Sequence, residues 1–431
     1  MKLLSSGVGP VEDKSLLHIK DVLSRIVVEM IKREWPAQWP ALLSELSSVC
    51  DKGLSQTELV VLVFLRLVED VAILQTIESN QRRKDIYQAL TVHMSEIFAF
   101  FLGLIERHVH EFTRKSNAGC SATGECRVVQ VILSTLTEFV EWVSIQHVMA
   151  SNGRLLQMIC NLLEFSEFQL AASDCLVKLT NRKGVVGERK PLLFLFNDET
   201  MHFISMSIKN MESVPTEAYH QYLKKLTQAM QGLATLLTTM WGKETELQTS
   251  PRNFVTFLQI VLAFVRHPSV TVNHGGVLIW LQLAKSDAIS KDPIFLDSIR
   301  PMIEIIGPKI IKRPYPKVRS SFNPQQLPYA TETYSSLDYD SEEEYLQFMT
   351  RFRTDMLEIF RQTTLMVPLF TFGYCEQWLN LRLEKSQREI NTRFVQIFNY
   401  FPYYDLMNVS LFLVAVSQIQ HILNGKQLLL Y

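Results

Sequence analysis

Residues 31–46 read Ile31-Lys-Arg-Glu-Trp35-Pro36-Ala-Gln-Trp39-Pro40-Ala-Leu-Leu-Ser-Glu-Leu46, two Trp-Pro pairs set between two helical patterns. Upstream, Leu16, Ile19, Val22, Leu23, Ile26, Val27 and Met30 recur at steps of three and four, which gives a helix one apolar stripe. That helix has to end near Glu34. Trp35 precedes a proline and is pushed out of the α region, and Pro36 has no N–H to continue the ladder. Pro40 suits the first turn of a second helix, whose buried face continues through Leu42, Leu43 and Leu46. The stretch therefore predicts a helical hairpin with Trp35 and Trp39 buried together in its corner. Both are read as packing residues, and truncating Trp39 to Ala is expected to cost about 3–5 kcal/mol.

Outward from the corner the same rhythm persists. Helical patterns are predicted over 15–34, 39–52, 55–78, 81–114, 126–150, 153–164 and 167–182, then over 191–212, 216–241, 251–267, 270–289, 293–312, 341–364, 368–400 and 404–424. Almost no strand-like alternation intervenes. A helix pair every 40–47 residues or so is the signature of HEAT or armadillo arrays. Two stretches interrupt it. Ser116–Glu125 is a loop by its glycines and small polar residues. Residues 314–341 carry Pro314, Pro316, Pro324 and Pro328 and end in acids from Asp338 to Glu344, which are expected to cap the next helix while the stretch before them protrudes.

Composition sets limits. With 431 residues, 47% hydrophobic and 20% charged, the chain is able to bury a large core. Its formal net charge of −1 provides no global basic field, so any nucleic-acid contact has to come from local clusters. The six cysteines stand in scattered contexts and are expected to be free thiols in a reducing compartment. No signal peptide is recognisable at the start. The apolar end at Gln427–Tyr431, where a solenoid cap should be polar, suggests part of a longer protein.

Catalytic patterns are missing from the sequence. Gly184-Val-Val-Gly187 lacks phosphate-loop spacing, and no Gly-x-Ser-x-Gly elbow or His-Glu-x-x-His pair occurs. His108-Val-His110 reads as solvated histidine near a helix end. No enzyme activity, metal or cofactor is expected. Positive charge clusters at Arg82-Arg83-Lys84, at Arg182-Lys183 with Arg189-Lys190, at Lys224-Lys225, and at Lys309 with Lys312-Arg313. Each cluster is either an ordinary solvated helix end or, since equivalent positions of successive repeats align, part of an extended basic track facing a partner.

The Glu-Trp-Pro-x-x-Trp-Pro corner resembles the exportin branch of the importin-β (karyopherin) superfamily, where it joins the helices of an early HEAT repeat. The run Ile19–Pro36, Thr57-Glu-Leu-Val60, Leu65-Arg-Leu-Val-Glu-Asp70, Arg182-Lys-Gly184 and Glu188-Arg-Lys-Pro-Leu192 are similar to the exportin-5 family. The resemblance implies an all-α HEAT-repeat solenoid, a right-handed superhelix of antiparallel pairs. Its expected divisions are a short irregular start at 1–14, exportin-type repeats over 15–190, further repeats over 191–313, the loop 314–341, and further repeats over 342–431. It also implies binding of Ran-GTP and of double-stranded hairpin RNA such as precursor microRNA. Contact with FG-repeat proteins of the nuclear pore and shuttling between nucleus and cytoplasm belong to the same expectation, with GTP carried by Ran. Export of protein or transfer RNA cargo, or a generic helical-repeat scaffold, are the alternatives.

Overall fold

The computed structural model describes residues 2–11, 13–73, 79–209, 216–242, 247–310, 334–335 and 337–392. Among them the chain is helical throughout, with one isolated β-bridge between Trp241 and Leu247. It forms two units, Met1–Ser207 and Ile208–Tyr431.

In the first unit, α1 (Leu17–Glu34) stops where the Trp-Pro step demands. Trp35 is extended, at φ −85° and ψ 141°, and the Trp35–Pro36 peptide is cis. The next helix, α2 (Leu42–Cys50), starts later than expected, so Pro40 stands in the turn rather than in the first helical turn. Trp35 is 1% exposed, whereas Trp39 is only half-buried and donates its indole N–H to Glu45 across 3.3 Å. The corner therefore has one core tryptophan, not two, and the stability assigned to Trp39 belongs to Trp35.

The buried face of α1 also differs from the expected stripe. Lys20, Ser24, Val27, Val28 and Ile31 face inward, while Ile19, Val22, Ile26 and Met30 are exposed. A charged pair decides this orientation. Lys20 Nζ lies 2.7 Å from Glu58 Oε2 with both side chains at 0% exposure, and Arg127 Nε reaches the other Glu58 oxygen at 3.1 Å. Rotating α1 to bury the more apolar stripe would break that pair, and a buried charge left alone costs about 3–5 kcal/mol.

Glu58 belongs to α3 (Leu54–Val68), a helix buried on nearly every side from Thr57 to Phe64 because it packs against both α1 and α6 (Thr123–Trp142). Between α3 and α6 run α4 (Asn80–Val92) and α5 (Met94–Asn117), in place of one expected helix over 81–114. The chain bends by 60° between them. The bend carries α5 onto α6, where Phe98 and Phe101 lie 6.2 and 5.5 Å from Phe139. The loop expected over 116–125 shrinks to the few residues between Asn117 and Thr123. The unit continues through α7 (Ala150–Asn161), α8 (Gln169–Thr180), which packs on α6, and α9 (Asp198–Ser207).

The second unit repeats the logic with α10 (Glu217–Met240), α11 (Phe254–Arg266), α12 (Val270–Ala284), α13 (Ile299–Ile306), α14 (Glu342–Met366) and α15 (Pro368–Thr392). Here α12 is the central helix, in contact with α10, α11 and α14. Two glycines let its neighbours approach: a Cβ on Gly275 would sit 2.3 Å from Thr227 of α10, and one on Gly276 would sit 2.8 Å from Val265 of α11. The helix expected over 404–424 lies outside the described residues.

The stretch before α14 is not wholly free of the scaffold. Residues 314–333 lie outside the described residues, but Asp338 is buried, its side chain 2% exposed. It accepts hydrogen bonds from His220 Nε2 at 2.8 Å, Lys224 Nζ at 3.1 Å, Thr271 Oγ1 at 2.9 Å and Ser269 Oγ at 3.2 Å. Although burial opposes ionisation, these donors hold the Asp338 carboxyl below its ordinary range. The cap of α14 is made instead by Ser341, whose hydroxyl accepts from the Glu344 N–H, with Glu342, Glu343 and Glu344 in the first turn.

His108 is likewise not solvated. It is 6% exposed inside α5, and burial lowers its pKa to about 4, whereas His110 of the same motif is exposed. Because the unfolded chain takes up the proton first, His108 contributes its full share of stability above its ordinary pKa near 6.5 and loses it as pH falls towards 4. His274 is shifted the same way by burial, against the pull of Asp355. Thermal melting should therefore occur at lower temperature at pH 5 than at pH 7, and His108→Phe should flatten part of that drop. In urea unfolding, Trp35→Ala should cost about 3–5 kcal/mol and Trp39→Ala about 1 kcal/mol; equal costs would refute the one-tryptophan corner.

Candidate functional site

The last four carbonyls of an α-helix have no partner within the helix, so something else has to satisfy them when the end is buried. Three of the basic residues singled out from the sequence do this. Arg82 at the start of α4 donates Nε to the Lys32 carbonyl at 2.6 Å and Nη2 to the Trp35 carbonyl, at the end of α1. Arg182, just past α8, donates to the carbonyls of Val140, at 2.8 Å, and Val143, at the end of α6. Lys309 Nζ lies 2.6, 3.0 and 3.2 Å from the carbonyls of Val265, Arg266 and His267, at the end of α11. Arg353 of α14 adds a fourth case, donating to Ile310 at 2.9 Å. These cations are committed to the scaffold, and a cation at a helix C-terminus also meets the negative end of the dipole.

The other candidates divide by unit. In the first, Lys84 and Lys183 are exposed, Arg83 and Arg189 are half-buried, and Lys190 is exposed. In the second, Lys224 is drawn to Asp338 and Lys225 beside it is half-buried. Lys312 and Arg313 lie outside the described residues.

The structure brings Arg182, Lys183 and Arg189 to one cleft of about 480 Å³ in the first unit. One wall is aromatic, with the rings of Tyr87 and Trp142 at 5.1 Å and 44°. Arg182 faces Glu188, whose charge partly offsets the lowering of its pKa by burial. The indole N–H of Trp142 and the Nε–H of Arg189 are buried without a hydrogen-bond partner. Sequence reasoning missed both this cleft and the capping role of the cations. The available signal was the spacing: each capping residue stands 39 to 50 residues after the carbonyl it meets, about one repeat.

Among the described residues, no group of His, Cys, Asp and Glu is placed to hold a metal ion, and no single helix is long and apolar enough to cross a membrane. All six cysteines are unpaired, and burial raises the thiol of Cys50 to about 12 and that of Cys375 to about 11.

Comparison with known proteins gives two family matches. Residues 17–176 match the Exportin 1-like protein family and residues 217–425 match the Exportin-5 family. The chain is 35% identical over 388 residues to Exportin-5 of Homo sapiens, covering 89% of this chain and 31% of that protein. It is 35% identical over 390 residues to Exportin-5 of Mus musculus, covering 90% and 32%. Against Exportin-5 of Dictyostelium discoideum the identity is 25% over 359 residues, covering 80% and 30%. The chain thus spans about a third of the length of these relatives.

The two classes of cation are separable by measurement. Arg182→Gln should lower stability by about 1.5–3 kcal/mol, the range for hydrogen bonds to a charged group. Lys183→Gln, one residue on, should change it by no more than about 0.5 kcal/mol. Chemical denaturation of the two variants tests this, and a neutral Arg182→Gln would show that the carbonyls of α6 find water instead.

Proposed function

Since the chain belongs to the exportin-5 family, with the all-α HEAT-repeat architecture of the exportin branch, we propose that it works in a nuclear export receptor that binds double-stranded hairpin RNA together with Ran-GTP. The family is one of transport receptors rather than enzymes. The observation that carries the proposal is the 35% identity to Exportin-5 across nine-tenths of the chain, through both family matches.

Physical chemistry is compatible with that cargo. Duplex RNA is recognised through its backbone shape and phosphates, and neutralising phosphates releases counterions, which makes affinity salt-dependent without base readout. The scaffold-bound cations Arg82, Arg182 and Lys309 hold the repeats in shape. The phosphate-facing role then falls to Arg83 and Lys84 in the first unit and, by sequence, to Lys312 and Arg313 in the second. In this reading GTP enters only on Ran, FG-repeat proteins of the pore are further partners, and the receptor shuttles between nucleus and cytoplasm.

A chimera provides the test: this chain replaces the matching stretch of the human relative, and hairpin RNA binding is measured by filter retention with and without Ran-GTP. Ran-GTP should strengthen RNA binding by the chimera. Arg83→Gln with Lys84→Gln should weaken unrelated hairpins equally and flatten the slope of log affinity against log salt by somewhat under one unit per lost contact, since phosphate contacts carry no sequence information. Binding of transfer RNA or protein cargo in preference to hairpin RNA would overturn the cargo assignment.

A further inference from the structure

The cleft beside Tyr87 and Trp142 has the properties of a binding site in its own right. Its volume of about 480 Å³ falls within the range of sites that enclose a ligand. A buried donor with no acceptor costs about 1–3 kcal/mol, and this cleft holds two among its lining residues, Trp142 Nε1–H and Arg189 Nε–H. Those two nitrogens are themselves covered, so the surfaces the cleft offers a ligand are the Tyr87 and Trp142 rings and the cationic side chains of Lys183 and Arg189.

We propose that this cleft docks an acidic segment of a partner protein, with an aspartate or glutamate carboxylate paired with Lys183 and Arg189 and a neighbouring apolar side chain against the Tyr87–Trp142 wall. The charge distribution points to a carboxylate rather than a neutral carbonyl. Arg182 is bound to the α6 carbonyls, so Lys183 and Arg189 are the cations left in the cleft to meet an incoming anion, against the single lining carboxylate of Glu188. The aromatic wall gives the apolar half of the recognition, since Tyr and Trp offer large rigid contact surfaces. Shape favours a peptide over duplex RNA. A duplex presents its phosphates on a stiff convex cylinder, whereas an extended peptide sends one side chain into a pit.

The test uses the whole chain with its six tryptophans replaced biosynthetically by 5-fluorotryptophan, the Trp142 resonance being assigned by its disappearance in Trp142→Phe. N-acetyl-Leu-Asp-amide is titrated against N-acetyl-Leu-Asn-amide, and uridine monophosphate forms a third arm. The aspartyl peptide should move the Trp142 fluorine signal saturably, with affinity at least about tenfold above that of its neutral isostere, and Arg189→Gln should abolish the difference. Lys183→Gln, at an exposed position, should weaken the aspartyl peptide alone, so the proposal stays testable if Arg189→Gln fails to fold. No saturable shift up to about 10 mM peptide, where binding would be weaker than about 3 kcal/mol, overturns the proposal. So does an equal response to both peptides, and so does a response to uridine monophosphate without one to the aspartyl peptide, which would make this a nucleotide site.

Discussion

Helix ends set the terms for this architecture. A helical array that buries its turns leaves rows of carbonyl oxygens with no water to bond, and the chain meets them with cations from one repeat further along. Arg82 serves the end of α1, Arg182 the end of α6, Lys309 the end of α11 and Arg353 the carbonyl of Ile310. In a repeat protein each module contacts chiefly its neighbours, so a bond reaching back one module links local helix stability to the stacking of the array. The guanidinium fork suits this role because it reaches two carbonyls at once.

A second division, between central and flanking helices, follows from packing. In each unit one helix is enclosed by several others, α3 in the first and α12 in the second, and both are apolar on nearly all sides. Each manages the crowding differently. The helix α3 buries β-branched Val60, Val61 and Val63 beside Leu59, Leu62 and Phe64, whereas α12 gives up side chains altogether at Gly275 and Gly276. Flanking helices keep one buried stripe and one outer face.

Much of this was legible in the residues. Helical periodicity, the Trp-Pro stop and the family resemblance were sufficient for the all-α repeat class, because three- and four-residue spacing and the missing proline N–H are local facts. Three features escaped for a common reason: they depend on partners far along the chain. The face of α1 was misread because its core side is marked by Lys20, which counts as polar until Glu58 is known to stand opposite it. Asp338 looked like a helix cap and is instead the acceptor for four side chains from α10 and around the start of α12. The basic clusters looked alike in sequence, yet Arg182 is bound to carbonyls while Lys183 beside it is exposed. Charge can be counted from a sequence; what it is spent on depends on which helix end lies one repeat away.

The pair between Lys20 and Glu58, joined by Arg127, has a further consequence for how the first helices are held in step. Apolar surfaces tolerate sliding, since one leucine contact substitutes for another a turn away. A carboxylate shared by two cations does not: moving α1 by a single turn would carry Lys20 about 5.4 Å along the axis and out of hydrogen-bond reach. Glu58 thus acts as an indexing pin, fixing the longitudinal register of α1 and α6 against α3 in an interface whose hydrophobic contacts alone would leave it adjustable.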